Sequence, residues 1–323
     1  MIKNGIKSAL NEKNSSMIER HHLSILRELA RQGSLTAAAT SLCLTQSALT
    51  HSIRKLEEQI GTDLWRREGR QLHPTAAGRE LMDLATRVLP QFEDVETRLA
   101  HLARGLSGHL RIGMECHPCY RWLLKVVDPY LKAWPDVDID VRQRFQFGGV
   151  EALLHYEIDL LVTPDPVTRA GLVFQPVFDY EQVLVVDSTH PYAQRAWIEP
   201  DDLSDQTLIS YPVDTSRLDI FQLFLRPAGV SPRRHQTIET TDILLQMVAC
   251  GRGVAALPRW LVEEYRAHLP LCAVRLGATG LAKQIHLGWR HSDTARSYLQ
   301  GFISQARSIE APAATAGDAS GAT

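Results

Sequence analysis

The sequence predicts an α/β chain in two parts. An all-α-type winged helix-turn-helix stands at the N-terminal end, and a two-lobed α/β unit follows. Three observations predict this: short amphipathic helical patterns with clear caps and stops over residues 17–75, a long apolar repeat at steps of three and four after Thr75, and alternating strand and helix signals from His109 onward.

The bulk numbers agree with that organisation. A length of 323 residues suits two or three compact units. Hydrophobic and charged fractions of 44% and 22% are those of an ordinary globular chain. No apolar run reaches membrane-spanning length, so no membrane partner is expected. Residues 1–16 are polar, with neither an apolar h-region nor a cleavage site, and are expected to be a disordered extension rather than a secretory signal. Met17 is a second candidate start. The five cysteines are odd in number and scattered, which predicts no disulfide framework and a cytoplasmic location. Residues 17–75 hold eight Lys or Arg against six Asp or Glu, while residues 76–323 hold 24 against 30. The basic excess at the N-terminal end is too small to identify a nucleic-acid partner by itself.

The first helix is predicted from Leu23, Ile25, Leu26, Leu29 and Ala30, and stops at Gly33. Ser34 is a cap for a second helix with the small-residue face Leu35, Ala38, Ala39 and Leu42. After a turn at Cys43–Leu44, Thr45 caps a third helix that runs to Gly61 on the stripe Leu49, Ile53, Leu56 and Ile60. Gln46, Ser47, Thr50, His51 and Arg54 project together from its other face, near the N-terminus that would enter a major groove. A merely solvated helix face is the alternative for this stripe. Residues Leu64–Leu72 then read as a hairpin wing with Arg66, Arg67 and Arg70 directed at the sugar-phosphate backbone. Thr75 caps the next helix, with its hydroxyl and amide available to a phosphate.

That helix is predicted over about residues 75–104, with Pro90 kinking it. Leu81, Leu84, Ala85, Val88, Phe92, Val95 and Leu99 form a seam that wants a partner helix, so dimerisation is expected over burial in the helix's own domain. The assigned parts are a 1–16 extension, a 17–75 DNA-binding domain, a 76–106 linker and dimerisation helix, a 107–309 unit, and a disordered 310–323 tail. In the large unit, strands are predicted at Leu110–Met114, Val137–Val141, Ile158–Val162, Val183–Val186, Thr207–Ser210 and Gly253–Pro258. Helices are expected around Tyr120–Ala133, Arg217–Arg226 and Asp242–Cys250, over a mostly parallel sheet.

Several segments together resemble the LysR-type transcriptional regulators. They are Leu35-Thr36-Ala37-Ala38-Ala39, Thr45-Gln46-Ser47-Ala48-Leu49-Thr50-His51-Ser52-Ile53, Arg54-Lys55-Leu56-Glu57, Gly61-Thr62-Asp63-Leu64-Trp65 and Thr75-Ala76-Ala77-Gly78. The resemblance is long and specific, and runs from about residue 18 to residue 305. Within that family, five segments are similar to the branch that controls methionine biosynthesis genes in response to homocysteine. These are Glu115–Cys119 with Trp122, Val177–Glu181, Ser210–Val213 with Ser216–Asp219, Pro227–Pro232, and Gln246–Ala249. The resemblance implies no catalysis and no cofactor. It implies a periplasmic-binding-protein-like sensor hinged near 178–183 and 284–290, with a small effector held between its lobes. Its implied partners are double-stranded promoter DNA, a second copy or three further copies of the chain, and RNA polymerase.

Effector-contact candidates follow from the carboxyl ends of the predicted strands. They are Cys116, His117 and Cys119 at a strand-to-helix turn, then Thr163, Asp165, Ser210, Tyr211, Thr240 with Thr241, and Val254. The turn's N–H groups and helix dipole suit an effector carboxylate, His117 adds a hydrogen bond, and Asp165 suits an ammonium. A thiol oxidoreductase using Cys116 and Cys119, a metal site and plain packing cysteines stay open as other readings of that turn. Gly251-Arg252-Gly253 lacks the rest of a phosphate loop.

Overall fold

The computed structural model describes residues 18–68, 71–103, 108–116, 118–142 and 148–309, except for the side chains of residues 67, 68 and 71. The expected extension and tail, Arg70, His117 and the side chain of Arg67 lie outside these described residues. The chain divides into two compact units, residues 1–104 with 155–157 and residues 105–154 with 158–323.

In the first unit, α1 (Arg20–Gln32) buries Leu23, Ile25, Leu26 and Leu29. It is followed by α2 (Leu35–Ser41) and α3 (Gln46–Ile60). Ala38 and Ala39 are almost fully buried against Ile25, Leu29, Leu49 and Ile53, and their small side chains let three short helices close on one core. Thr45 caps α3 as expected, its Oγ1 accepting the Ala48 N–H at 3.2 Å. Ser34 sits at the N-cap of α2, but its hydroxyl makes no capping bond. Gly61 ends α3 at φ 77°, a conformation that suits glycine.

The wing is the antiparallel pair β1 (Trp65–Glu68) and β2 (Gln71–Pro74), in register from Trp65 opposite Pro74 to Glu68 opposite Gln71. Next comes α4 (Ala76–Ala103), which continues through Pro90 without a break in its helical assignment. Its start requires glycine at position 78. A Cβ there would lie 2.1 Å from the Leu64 carbonyl oxygen.

The predicted seam on α4 divides in two. Leu81 packs with Leu26, Leu56 and Leu64, and Ala85 and Leu89 pack with Leu23, so this half belongs to the unit's own core. Leu89, rather than Val88, is the fully buried position. Phe92, Val95, Leu99 and also Leu102 stay exposed along the second half. Ion pairs from Arg20 to Glu96 and from Arg27 to Glu93 (2.6 Å) fasten α1 beside α4.

The second unit is built on one sheet in the order β4-β3-β5-β12-β6-β10-β8-β9, with β11 joined to β6 and β7. These strands are β3 (Gly108–Met114), β4 (Val137–Arg142), β5 (Leu160–Thr163), β6 (Leu172–Asp187), β7 (Trp197–Ile198), β8 (Thr207–Ser210), β9 (Arg234–Thr237), β10 (Val254–Pro258), β11 (Leu271–Leu276) and β12 (Leu281–Arg290). Parallel blocks β4-β3-β5 and β10-β8-β9 form the two halves. The sheet is nevertheless mixed rather than mostly parallel. β6 and β12 run antiparallel from Leu172 opposite Arg290 to Gln182 opposite Leu281, with a register shift between Ile285 and His286. A chain that crosses between the halves in both directions must place two opposed strands at their join.

Helices α5 (Tyr120–Ala133), α6 (Gly149–Leu154), α7 (Thr241–Ala249), α8 (Arg259–Arg266) and α9 (Ser297–Ser308) cover the sheet. The helix expected over Arg217–Arg226 is instead a 3-10 turn, a π-helical stretch at Ile220–Leu225 and a second 3-10 turn at Arg226–Ala228. Pro227 offers no N–H, and Gly229 at φ 68° ends the segment. Under the first half, buried Asp159 binds Arg111 (2.8 Å) and Arg290 (2.6 Å). Arg290 also holds Asp293 and the carbonyls of Leu153 and Ile158, each at 2.6 Å.

Candidate functional site

On the first unit, α3 presents Gln46, Ser47, Thr50, His51 and Arg54 together around one open, solvent-exposed depression. The helical repeat places them there, because the buried Leu49, Ile53 and Leu56 take the opposite face. Gln46 Oε1 accepts from Thr36 Oγ1 at 3.2 Å, which orients the amide and leaves its NH₂ facing outward. Thr50 donates to the Gln46 carbonyl at 2.8 Å, so its oxygen stays available as an acceptor. Arg54 is highly exposed and 3.8 Å from Glu58, within reach of a phosphate. Arg66 on β1 is exposed, and Ser34 lies exposed at the start of α2.

Thr75 departs from the expectation. Its hydroxyl donates to the Asp63 carbonyl at 2.7 Å and accepts the Gly78 N–H at 3.1 Å. The side chain locks the wing to α4, and its only donor is no longer free for a phosphate.

On the second unit, a small cavity of about 110 Å³ is lined by Glu115, Cys116, Asp165, Tyr180, Tyr211 and Arg217, among others. It shares Glu115, Asp165, Arg217 and Asp219 with a wider groove reached by Lys283 and Gly149. The inner space is smaller than the roughly 300–1,000 Å³ of drug-sized pockets, which favours a ligand of a few heavy atoms.

Both signs of charge line it. Glu115 is nearly buried, accepts Thr163 Oγ1 (2.8 Å) and the Gly149 N–H (3.0 Å), and stands 3.8 Å from Arg217. Lys283 bridges Asp165 and Asp219, at 3.1 and 3.0 Å. Burial opposes the Lys283 charge, but Asp219 and Asp165 outweigh it and raise the ammonium above its ordinary value. Burial raises the Asp219 carboxyl, with Lys283 pulling the other way. The phenols of Tyr180 and Tyr211 are pushed up chiefly by burial and stay neutral hydrogen-bonding groups.

The structure brings only part of the expected effector set to the cavity: Cys116, Asp165 and Tyr211. Asp165 is already paired with Lys283 rather than waiting for an ammonium. Thr163 is fully buried and its hydroxyl is used by Glu115 and the Asp165 N–H (3.1 Å). Ser210 is buried, and its hydroxyl contacts His235 Nε2 (2.7 Å) and the Tyr211 carbonyl. Val254 is a fully buried sheet residue, and Thr240 is an exposed residue at the start of α7. Thr241 instead positions Tyr211 through a 2.8 Å hydroxyl contact.

Strand-end reasoning missed Glu115, Arg217, Asp219 and Tyr180, which reach the cavity from other segments, and Lys283, which reaches the adjoining groove. Their signal was faint: all five lie in or beside segments singled out for other reasons, Lys283 only by its place beside the hinge near 284–290.

The cysteine turn also differs from expectation. Cys116 and Cys119 are joined by a disulfide with Cα atoms 5.4 Å apart, and Cys119 is fully buried. Two of the turn's N–H groups, those of Cys119 and Arg121, bond the carbonyls of Cys116 and Pro118. A ligand carboxylate is therefore better served by Arg217 than by those amides.

Comparison with known proteins adds the family. Residues 103–309 match the LysR substrate binding domain, and residues 20–79 match the bacterial regulatory helix-turn-helix protein model of the lysR family. The chain is 40% identical over 291 residues to the HTH-type transcriptional regulator MetR of Escherichia coli K12, covering 90% of each chain. It is 34% identical over 293 residues to MetR of Haemophilus influenzae, covering 91% of this chain and 94% of that one. The regulatory domain of MetR from N. meningitidis superposes with a TM-score of 0.58 at 34% identity, over 62% of this chain and 93% of that one.

Proposed function

The chain belongs to the LysR family as a DNA-binding transcriptional regulator of methionine biosynthesis rather than an enzyme, and we propose that homocysteine is the effector its cleft reads. The observation that carries the effector reading is the pairing of charges around a small cavity. Arg217 suits the carboxylate of an amino acid, Glu115 suits its ammonium, and the apolar wall at Cys116 and Tyr211 suits a short sulfur-bearing side chain.

Gln46, Ser47, Thr50, His51 and Arg54 read promoter duplex in the major groove, while Arg66, Arg67 and Arg70 lie along the backbone. The exposed second half of the α4 seam joins two copies, which present paired recognition helices to two half-sites. The working assembly is a homodimer or a homotetramer on promoter DNA in the cytoplasm. Among the described residues, no helix is long and apolar enough to cross a membrane. Effector binding biases the two lobes about β6 and β12, near 178–183 and 284–290. The response is bounded by the difference in effector affinity between the lobe arrangements.

Calorimetric titration of the protein with homocysteine, methionine and cysteine tests the effector. Heat is expected with homocysteine at the lowest concentration, and its absence would remove this reading.

A further inference from the structure

The Cys116–Cys119 disulfide spans only two intervening residues. Closing so short a loop constrains the unfolded chain little, so stability gives weak reason for the bond. Its two sulfurs are not equivalent. Cys116 lines the ligand cavity and is 7% exposed, whereas Cys119 is fully buried. Cys119 is also the N-cap residue of the fourteen-residue helix α5, where the helix dipole stabilises a thiolate.

We propose that a small amino-acid thiol bound in this cleft is captured covalently by exchange with the disulfide. The inference rests on the reading of the cleft as a homocysteine site. The ligand thiol gives its proton to solvent, and its sulfur attacks Cys116 Sγ. The Cys116–Cys119 bond breaks as the ligand–Cys116 bond forms. Cys119 leaves with the electron pair as a thiolate, the better leaving group because of its helix terminus. One disulfide is consumed and one is made, so no outside oxidant or reductant takes part. Return attack by Cys119 releases the ligand and restores the bond. The device distinguishes homocysteine from methionine by chemistry rather than by fit, since a thioether carries no S–H to exchange. In a cytoplasmic regulator, transient disulfides of this kind are the usual ones.

The test uses the full chain with its free Cys43, Cys250 and Cys272 first blocked by N-ethylmaleimide. Homocysteine is added, samples are acid-quenched over time, and adducts are located by mass spectrometry. The expected result is one homocysteine disulfide-linked to Cys116, one newly alkylatable Cys119, and no adduct with methionine. Glutathione should react at least about tenfold more slowly, because it does not fit the cavity. Cys119→Ser, assayed without the maleimide block, leaves Cys116 a free thiol and should bind homocysteine without forming an adduct there. Adduct on Cys119, equal rates with glutathione, or reduction with no trapped adduct would overturn the proposal. Binding heat without adduct would overturn the exchange while leaving the effector reading intact. Neither heat nor adduct would remove both.

Discussion

Substitution Asp159→Asn should destabilise the second unit alone. Three guanidinium groups, of Arg111, Arg290 and Arg296, surround the two buried carboxylates of Asp159 and Asp293. The substitution leaves three positive groups against one negative, while an Asn oxygen still accepts one of the lost bonds. Breaking a buried pair from one side costs about 3–5 kcal/mol, and the retained acceptor favours the lower end, about 3 kcal/mol. For a unit of roughly 200 residues, that corresponds to a fall in Tm of about 6–12 °C. Scanning calorimetry of the full chain should show one transition moving and the DNA-binding unit's transition staying in place.

The pH dependence has a definite sign. Burial opposes ionisation of Asp159, yet the hydrogen bonds and charge of Arg111, then the charge of Arg290, outweigh it and hold the carboxyl below the ordinary aspartate range. A depressed carboxyl stabilises the fold above the unfolded value of about 3.9. That contribution disappears as pH falls through the folded value. The gap between wild type and variant should be complete near neutrality and close in acid. A Tm change under about 2 °C at neutral pH would refute the account.

Other perturbations separate the remaining roles. Gln46→Ala should relax base preference at one operator position, costing about 1–3 kcal/mol of discrimination, and Thr50→Ala should act in the same direction. Arg66→Ala should weaken all sequences alike and reduce the salt slope by about one, as footprinting and salt titration would show. Gly78→Ala should abolish DNA binding, because the added methyl meets the Leu64 carbonyl at 2.1 Å, and circular dichroism should show the first unit loosened. Leu99→Glu places a charge on the exposed half of the α4 seam, where light scattering should show monomer replacing dimer.

Much of the first unit was legible because its signals are local. Caps at Thr45, stops at Gly33 and Gly61, and the four-three-four stripe of α3 each act within one or two turns. They also fix which face stays outside, so Gln46 through Arg54 followed directly. The disulfide was only half legible: the spacing of Cys116 and Cys119 at one turn kept a thiol-redox pair open, while the count of five cysteines argued against a framework.

The cleft depended on the tertiary structure for the same kind of reason. Asp165 and Tyr211, named from strand ends, line the cavity, but a residue's place on a strand does not say which way a neighbouring segment will satisfy its polar groups. Thr163 and Ser210 were claimed by Glu115 and His235, and Lys283 arrived from β12 to bridge two carboxylates more than fifty residues apart in the chain. Sequence by itself determined the helix-turn-helix, its exposed polar face and the alternation of strands and helices, because those rest on short-range periodicity. Only the tertiary structure decided the mixed sheet, the split of the α4 seam and the chemistry of the cavity, because each depends on which distant segments meet.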